Sequence, residues 1–259
     1  MKRFCFIFTI IIASGIFCLY VYLSTHYETP ILMYHSFDAA RVGKYAAVSP
    51  QIFRAQMKFI KKGGYNVISL DDYCKLFLEG KEISKKTVII TIDDGYKDNT
   101  QAIEILKEFD FPATIFLIVD KIGKTIDGIG YLSKEDISGF LQKTQGRIGS
   151  HTLSEAYLPQ LQDEELHPEI ALSRMRLERL FGVSVATFSY TIGGFDERAL
   201  TEVEKAGYLC ACTTNRGFSK KLDRFALRRI KVTNRDLGIR LWAKLSGFYN
   251  VFRKPKKPY

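Results

Sequence analysis

The sequence lacks the marks of several common functions. It has no basic stripe interleaved with aromatic residues and no known nucleic-acid module, although its formal charge is +10. Nucleic-acid binding needs both a basic footprint and an element that reads bases or backbone, so nucleic acid is not expected as a partner. There is no CxxC pair. Beyond Cys5 and Cys18, which sit in an apolar leader, only Cys74, Cys210 and Cys212 remain, an odd number without metal-type spacing. Cys210 and Cys212 share one strand face by the period of two, and all three read as small buried apolar residues. No Gly-, Pro- or Ser-rich linker, low-complexity tract or repeat divides the chain, so one domain is expected after the leader.

The leader itself is Met1-Lys2-Arg3 followed by a nearly unbroken apolar run, Cys5 to Leu23. About 20 apolar residues behind a positive start match a membrane-spanning helix with the bulk of the chain outside the cytoplasm. The run is longer than the apolar part of a cleaved signal peptide, and no A-x-A pattern follows it. Residues 1–26 are therefore expected to be a signal anchor, with the rest periplasmic or at the cell surface; a signal peptide and a secreted product is the alternative. Without Lys2 and Arg3 the remainder carries about +8 of the formal +10. The densest basic run, Arg253-Lys254-Pro255-Lys256-Lys257, belongs to a solvated tail over 251–259.

Between 27 and 250, short β-rich runs alternate with amphipathic stretches. Strands are predicted over 31–34, 66–69, 87–92, 112–119, 147–150, 185–190, 208–213 and 225–232. Helices are predicted over 50–62, 70–78, 99–109, from 134, over 163–181, 196–206 and 237–248. Ser49-Pro50 is an N-cap followed by proline at the first helical position. Ser133-Lys134-Glu135-Asp136 is a possible capping box. Thr87-Val88-Ile89-Ile90-Thr91-Ile92 is the most strongly β-branched run. Strand–helix alternation of this kind predicts parallel strands with crossover helices, here an α/β barrel in a single domain.

Parallel barrels carry their sites at the C-terminal ends of the strands. Polar residues stand just past four predicted strands: His35; Asp93-Asp94-Gly95; His151 with Glu155 four residues later; and Thr191-Ile192-Gly193-Gly194 after Tyr190. Two adjacent carboxylates after a buried strand need compensation by a cation or hydrogen bonds. One can hold a metal while the other serves as a base. If 152–157 turns helically, His151 and Glu155 face one way and can clamp one ion.

These residues carry a resemblance. Thr91-Ile92-Asp93-Asp94-Gly95 resembles the T-F-D-D-G motif of the polysaccharide deacetylase family, the family named for the nodulation-type chitooligosaccharide deacetylase. Ser150-His151-Thr152-Leu153-Ser154-Glu155 resembles its S-H-T-x-x-H motif. Phe188 to Gly193 resembles its F-x-Y-P-x-G segment, and Leu32-Met33-Tyr34-His35 the L-x-Y-H opening of members acting on biofilm poly-N-acetylglucosamine. Arg229-Ile230 stands where such members show an R-I pair. The likeness spans about residues 30 to 235.

The resemblance implies a deformed (β/α)7 barrel and a metal-dependent hydrolase that removes N-acetyl groups from an N-acetylglucosamine-type glycan. It implies Asp93 as general base, His35 as general acid, and Asp94 and His151 as metal ligands. Tyr190, the Ile192 N–H and Arg229 would support the oxyanion and substrate. The family's second metal histidine is Glu155 here, and Thr191 replaces the proline of the third motif. Glu155 as third ligand keeps zinc possible but opens the site to harder divalent ions. Two other readings remain at this stage. One is a catalytically weak or inactive glycan-binding barrel in a polysaccharide export or modification complex. The other is a metal-dependent amidase or esterase for a small molecule.

Overall fold

A computed structural model describes residues 2–25, 27–43, 46–214, 223–249 and 253, with the side chains of 2–9 and 23–25 outside the description. The tail expected over 251–259 therefore lies outside the described residues except for Arg253. Helix α1, Lys2–Thr25, covers the apolar leader. From Ile10 to Tyr22 its large apolar side chains are exposed. Among the described residues, no helix is long and apolar enough to cross a membrane.

The elements then follow the sequence reading closely. Strand β1 is Ile31–Tyr34, and helix α2 is Pro50–Lys62, where the Ser49 hydroxyl accepts from the Ile52 N–H and Pro50 starts the helix. Strand β2 is Asn66–Ile68. Helix α3 is Leu70–Leu78, capped by Ser69. Strand β3 is Thr87–Ile92, with all six residues buried. Helix α4 is Asn99–Phe109 and strand β4 is Thr114–Leu117. A small hairpin that the sequence did not announce follows, β5 Thr125–Ile126 with β6 Ile129–Gly130. Helix α5, Lys134–Lys143, opens with the expected Ser133/Asp136 capping box. Strand β7 is Arg147–Ser150.

The long helix expected over 163–181 forms as α6 Asp163–His167, a π turn Pro168–Leu172 and α7 Ser173–Phe181. Pro168 has no N–H to give an i→i−4 bond, and a π turn relieves the misfit. Strand β8 Thr187–Ser189, helix α8 Glu197–Lys205 and strand β9 Cys210–Thr213 come next. Last come β10 Leu227–Arg228, β11 Ile230–Lys231 and helix α9 Ile239–Leu245.

The single strand expected over 225–232 is thus two. β10 pairs with β9, whereas β11 pairs with β1. The segment joins the last strand to the first and almost closes a ring of parallel strands in the order β10-β9-β8-β7-β4-β3-β1-β11, with β2 beside the start of β3. Counting β10 and β11 as one place, the ring has seven places, as a (β/α)7 barrel requires. Arg229 sits at the break.

Alternation along the strands sets what each side chain meets. In β3, Val88, Ile90 and Ile92 join the main core cluster, while Ile89 joins a separate cluster with Ile31, Phe116, Cys210, Cys212 and Leu227. The second cluster plugs the barrel. Gly149 makes room for it, because a Cβ there would stand 2.4 Å from the Phe116 ring. The same period carries Ile89, Thr91 and Asp93 onto the inner side, and likewise Ile31, Met33 and His35. A polar rim above an apolar plug is the outcome.

The cysteine reading needs correction. Cys74 on α3 and Cys210 on β9 form a disulfide across 136 residues of sequence; only Cys212 behaves as expected, buried and free. Burial pushes the Cys212 thiol up to about 12. Sequence spacing has no access to such a pair, because the helix meets the strand only in the closed barrel. A cross-link over a loop this long stabilises mainly by restricting the unfolded chain. Replacing Cys74 and Cys210 together by alanine is expected to lower unfolding stability by about 2–5 kcal/mol. Urea titrations of parent and variant, both in the presence and absence of reductant, check this; identical midpoints in all four would contradict it.

Candidate active site

A cleft of about 560 Å³ opens at the C-terminal rim of the strands. His35, Asp93, Asp94, His151, Glu155, Tyr190, Ile192 and Arg229, the residues singled out from sequence, all border it. Their arrangement divides into three groups.

The first group is Asp93 with Arg229. The Arg229 guanidinium donates from Nη1 to Asp93 Oδ1 at 2.5 Å and from Nη2 to Oδ2 at 2.7 Å. It also donates to the Ser189 hydroxyl at 2.9 Å and lies 5.4 Å from the Phe116 ring centroid. Both partners are buried, at 2% and 3% exposure, so the paired fork is what makes the Asp93 charge tolerable. Burial pushes the Asp93 carboxyl up, but Arg229, His151 and His35 outweigh it and hold it below the ordinary range. His35 Nε2 stands 3.9 Å from Asp93 Oδ2. The loop carrying His35 is pinned from the start of α4: Asn99 donates to the His35 carbonyl, and Asp98 accepts from Ser36 and the Phe37 N–H.

The second group is Asp94 with His151. His151 Nδ1 lies 2.7 Å from the Ser189 carbonyl. A carbonyl only accepts, so Nδ1 carries the hydrogen and Nε2 faces Asp94 Oδ1 at 3.5 Å. In the neutral ring a lone pair then points at a carboxylate. That contact calls for a cation between them or for a proton on Nε2, and a histidine held at Nδ1 by a carbonyl is the usual bearing of a metal ligand. Burial works against charge on both groups, yet their mutual contact prevails. Asp94 is pulled down to about 2, with His35 and the Tyr96 hydroxyl contributing, and His151 is raised.

The third group departs from expectation. Residues 151–157 form no helix, and Thr152 and Glu155 have positive φ of 69° and 76°. The one-face geometry argued from i, i+4 spacing is therefore absent. The Glu155 carboxylate instead accepts from Lys121 Nζ, which also donates to the Tyr131 hydroxyl at 3.1 Å. Among the described residues, no group of three or more His, Cys, Asp or Glu side chains is arranged to hold a metal. Asp94 and His151 fit a divalent ion; Glu155, as placed, is committed to an ammonium.

The turn after β8 completes the rim. Ile192 has φ 59° and is 71% exposed beside the cleft. Its turn is pressed against the end of β9, where a Cβ at Gly193 would lie 2.4 Å from the Thr214 nitrogen. Asp94, also at positive φ (70°), joins Thr152, Glu155 and Ile192 in a ring of strained backbone around one cleft. Such strain is retained where surrounding structure over-determines it, commonly at functional sites. Tyr190 borders the cleft from beneath. Its ring is fully buried and stacks on Phe195 at 4.6 Å.

Sequence reasoning missed Lys121, Tyr131, Tyr96 and Ser189. Ser189 was within reach, since the period of two turns Thr187, Ser189 and Thr191 inward together. Lys121 and Tyr131 flank the unannounced hairpin and had no signal.

A buried Asp–Arg pair, an adjacent Asp–His pair and His35 lie together at the mouth of a parallel barrel, an arrangement consistent with a hydrolase of the carbohydrate esterase class. Comparison with known proteins agrees. The family model described as polysaccharide deacetylase matches residues 80–211. The chain is 34% identical over 208 residues to the polysaccharide deacetylase YxkH of Bacillus subtilis, covering 80% of this chain and 72% of that one. It is 24% identical over 183 residues to the poly-β-1,6-N-acetyl-D-glucosamine N-deacetylase of Staphylococcus aureus, covering 66% and 62%. The deacetylase PplD of Streptococcus pyogenes, solved with acetate, shares the fold with a TM-score of 0.75 at 24% identity, covering 84% of this chain and 97% of that one. The chain belongs to the polysaccharide deacetylase family, enzymes that act on N-acetyl groups of carbohydrates.

Proposed function

We propose that this chain removes acetyl groups from an N-acetylglucosamine polymer outside the cytoplasm, using a divalent metal held by Asp94 and His151. The observation that carries the reading is the ionised Asp93, locked by Arg229 and facing His35 Nε2 at 3.9 Å. That is a base and an acid on two sides of one small space. The poly-β-1,6-N-acetyl-D-glucosamine N-deacetylase activity of the Staphylococcus aureus relative supports the choice of polymer. The Cys74–Cys210 disulfide supports an oxidising compartment. The exposed apolar side chains of α1 support its use as an anchor.

A divalent ion held by Asp94 and His151 would supply Lewis acidity, lowering the pKa of water at the site to about 7 and polarising the acetyl carbonyl. Asp93 takes the proton of that water at Oδ2 while Arg229 holds the carboxylate in line. The Ile192 N–H, at the rim of the cleft, offers a dipole to the developing oxyanion. His35 donates a proton from Nε2 to the departing amine, which leaves poorly without it. Acetate and a free amino sugar result. Glu155 enters the ligand set only by releasing Lys121.

Two measurements test this. The first is acetate release from β-1,6- and β-1,4-linked N-acetylglucosamine oligomers by the full chain, with and without chelator. Release abolished by chelator is expected; no release from any oligomer by metal-loaded protein would instead favour the glycan-binding barrel. The second is metal affinity of Lys121→Met, read against a chromophoric chelator. Freeing Glu155 is expected to tighten binding about tenfold, a change of ~1.4 kcal/mol. Unchanged affinity would show that Glu155 is no ligand.

A further inference from the structure

Helix α9 presents two faces. Leu241, Lys244 and Leu245 are buried, whereas Ile239 and Trp242, three residues apart, are 74% and 52% exposed. Beside Trp242 runs a groove of about 650 Å³ lined by Tyr65, Lys85, Lys86, Phe248 and Arg253. Arg240 is exposed on the same helix, and Lys85 and Lys86 are exposed as well. Large apolar and aromatic tips rimmed by cations are the composition of a surface that meets the headgroup level of an anionic bilayer.

The chain path decides the occupant. The residues that follow α1 are sewn onto this patch. The Tyr27 hydroxyl donates to the Lys85 carbonyl, and its ring meets Phe248 edge-on at 5.8 Å. The Glu28 N–H donates to the Gly247 carbonyl at 3.0 Å. Helix α1, with its exposed apolar side chains, therefore leaves the domain within two residues of the groove. An N-acetylated glycan is uncharged and its deacetylated product is cationic, so neither is drawn to a cluster of lysine and arginine.

We propose that the Ile239–Trp242 face of α9, with Lys85 and Lys86, rests on the anionic surface of the bilayer that anchors α1, fixing how the barrel stands on the membrane. This rests on the reading of α1 as an anchor. Tyr249 and Arg253 border both this groove and the catalytic cleft. The docking face thus adjoins the mouth of the cleft, so that glycan is met at the membrane surface.

The test uses the only tryptophan in the chain, so that intrinsic emission reports Trp242 alone. The full chain is reconstituted into phosphatidylcholine vesicles with and without phosphatidylglycerol, using acyl chains brominated near the headgroup. Blue-shifted emission quenched by the bromines in the anionic vesicles is expected. That quenching should be lost in Ile239→Ser and in Lys85→Glu/Lys86→Glu, with acetate release from soluble oligomers unchanged. Resistance to alkaline extraction reports α1 separately. Extraction-resistant protein with unquenched Trp242 overturns the docking face while leaving the anchor in place. Quenching with extractable protein supports the face and removes the anchor. Protein that does not stay with vesicles overturns both. Emission shifted by an N-acetylglucosamine oligomer, without lipid quenching, makes the groove a glycan subsite and overturns the proposal.

Discussion

Acetate release by an Asp93→Asn variant is expected to fall by about 10²–10⁴ while metal binding stays at the parent level. Asparagine has nearly the shape of aspartate and keeps one carbonyl oxygen for the Arg229 fork, so the cleft keeps its form. What it loses is the ability to take a proton. In the parent that ability comes from a carboxylate held ionised despite burial. Asp94→Ala should behave oppositely, losing metal first, because Asp94 and not Asp93 faces His151 Nε2. Equal metal loss in both variants would contradict the division into base and ligand. A loss of stability of up to about 3–5 kcal/mol is expected in Asp93→Asn as well, since the buried guanidinium is left with a neutral partner, so metal binding and turnover are compared on folded protein.

The second large effect is on stability. Arg229→Met leaves Asp93 buried without its cation, and breaking such a pair costs about 3–5 kcal/mol. Its dependence on pH is diagnostic. In the parent, the folded pKa of Asp93 lies below the unfolded value of ~3.9. The group then contributes stability that is present above that value and lost as pH falls through the folded pKa. In the variant, burial is no longer outweighed by Arg229, the folded pKa rises above the unfolded one, and the contribution reverses: stability is lost as pH rises. The gap between parent and variant should therefore widen from acid to neutral pH in urea unfolding. The rate should also acquire an acid limb as Asp93 protonates. A gap that is constant with pH would mean that Arg229 acts only by packing against Phe116. The double variant Asp93→Asn/Arg229→Met is expected to recover much of the loss, because no buried charge is left alone.

Much of this molecule was legible from local chemistry. Ser49-Pro50 starts a helix because a hydroxyl satisfies a free N–H and proline has none to spare. Thr87 to Ile92 is a buried central strand because β-branched side chains crowd a helix and fit a pleat. The rule that parallel strands gather function at their C-terminal ends led from those strands to His35, Asp93, Asp94 and His151, and the barrel does bring them together. The helical turn assumed for 152–157 failed on a local assumption: helical spacing means nothing where Thr152 and Glu155 take positive φ. The cysteine expectation failed on a distant contact.

The amino-acid sequence by itself determined the periods of the elements, their caps, the inward side of each strand and so the set of residues at the rim. Those follow from interactions within a few residues, which the order of side chains specifies directly. Only the tertiary structure decided that the strand over 225–232 breaks at Arg229 to close the ring. It alone decided that this arginine reaches Asp93 from 136 residues away, that Cys74 meets Cys210, and that Lys121 takes hold of Glu155. Each of these joins groups separated by dozens of residues. Their pairing is stabilised only after hydrophobic burial has fixed the elements against one another, since charges and thiols do not choose partners at that range in an open chain.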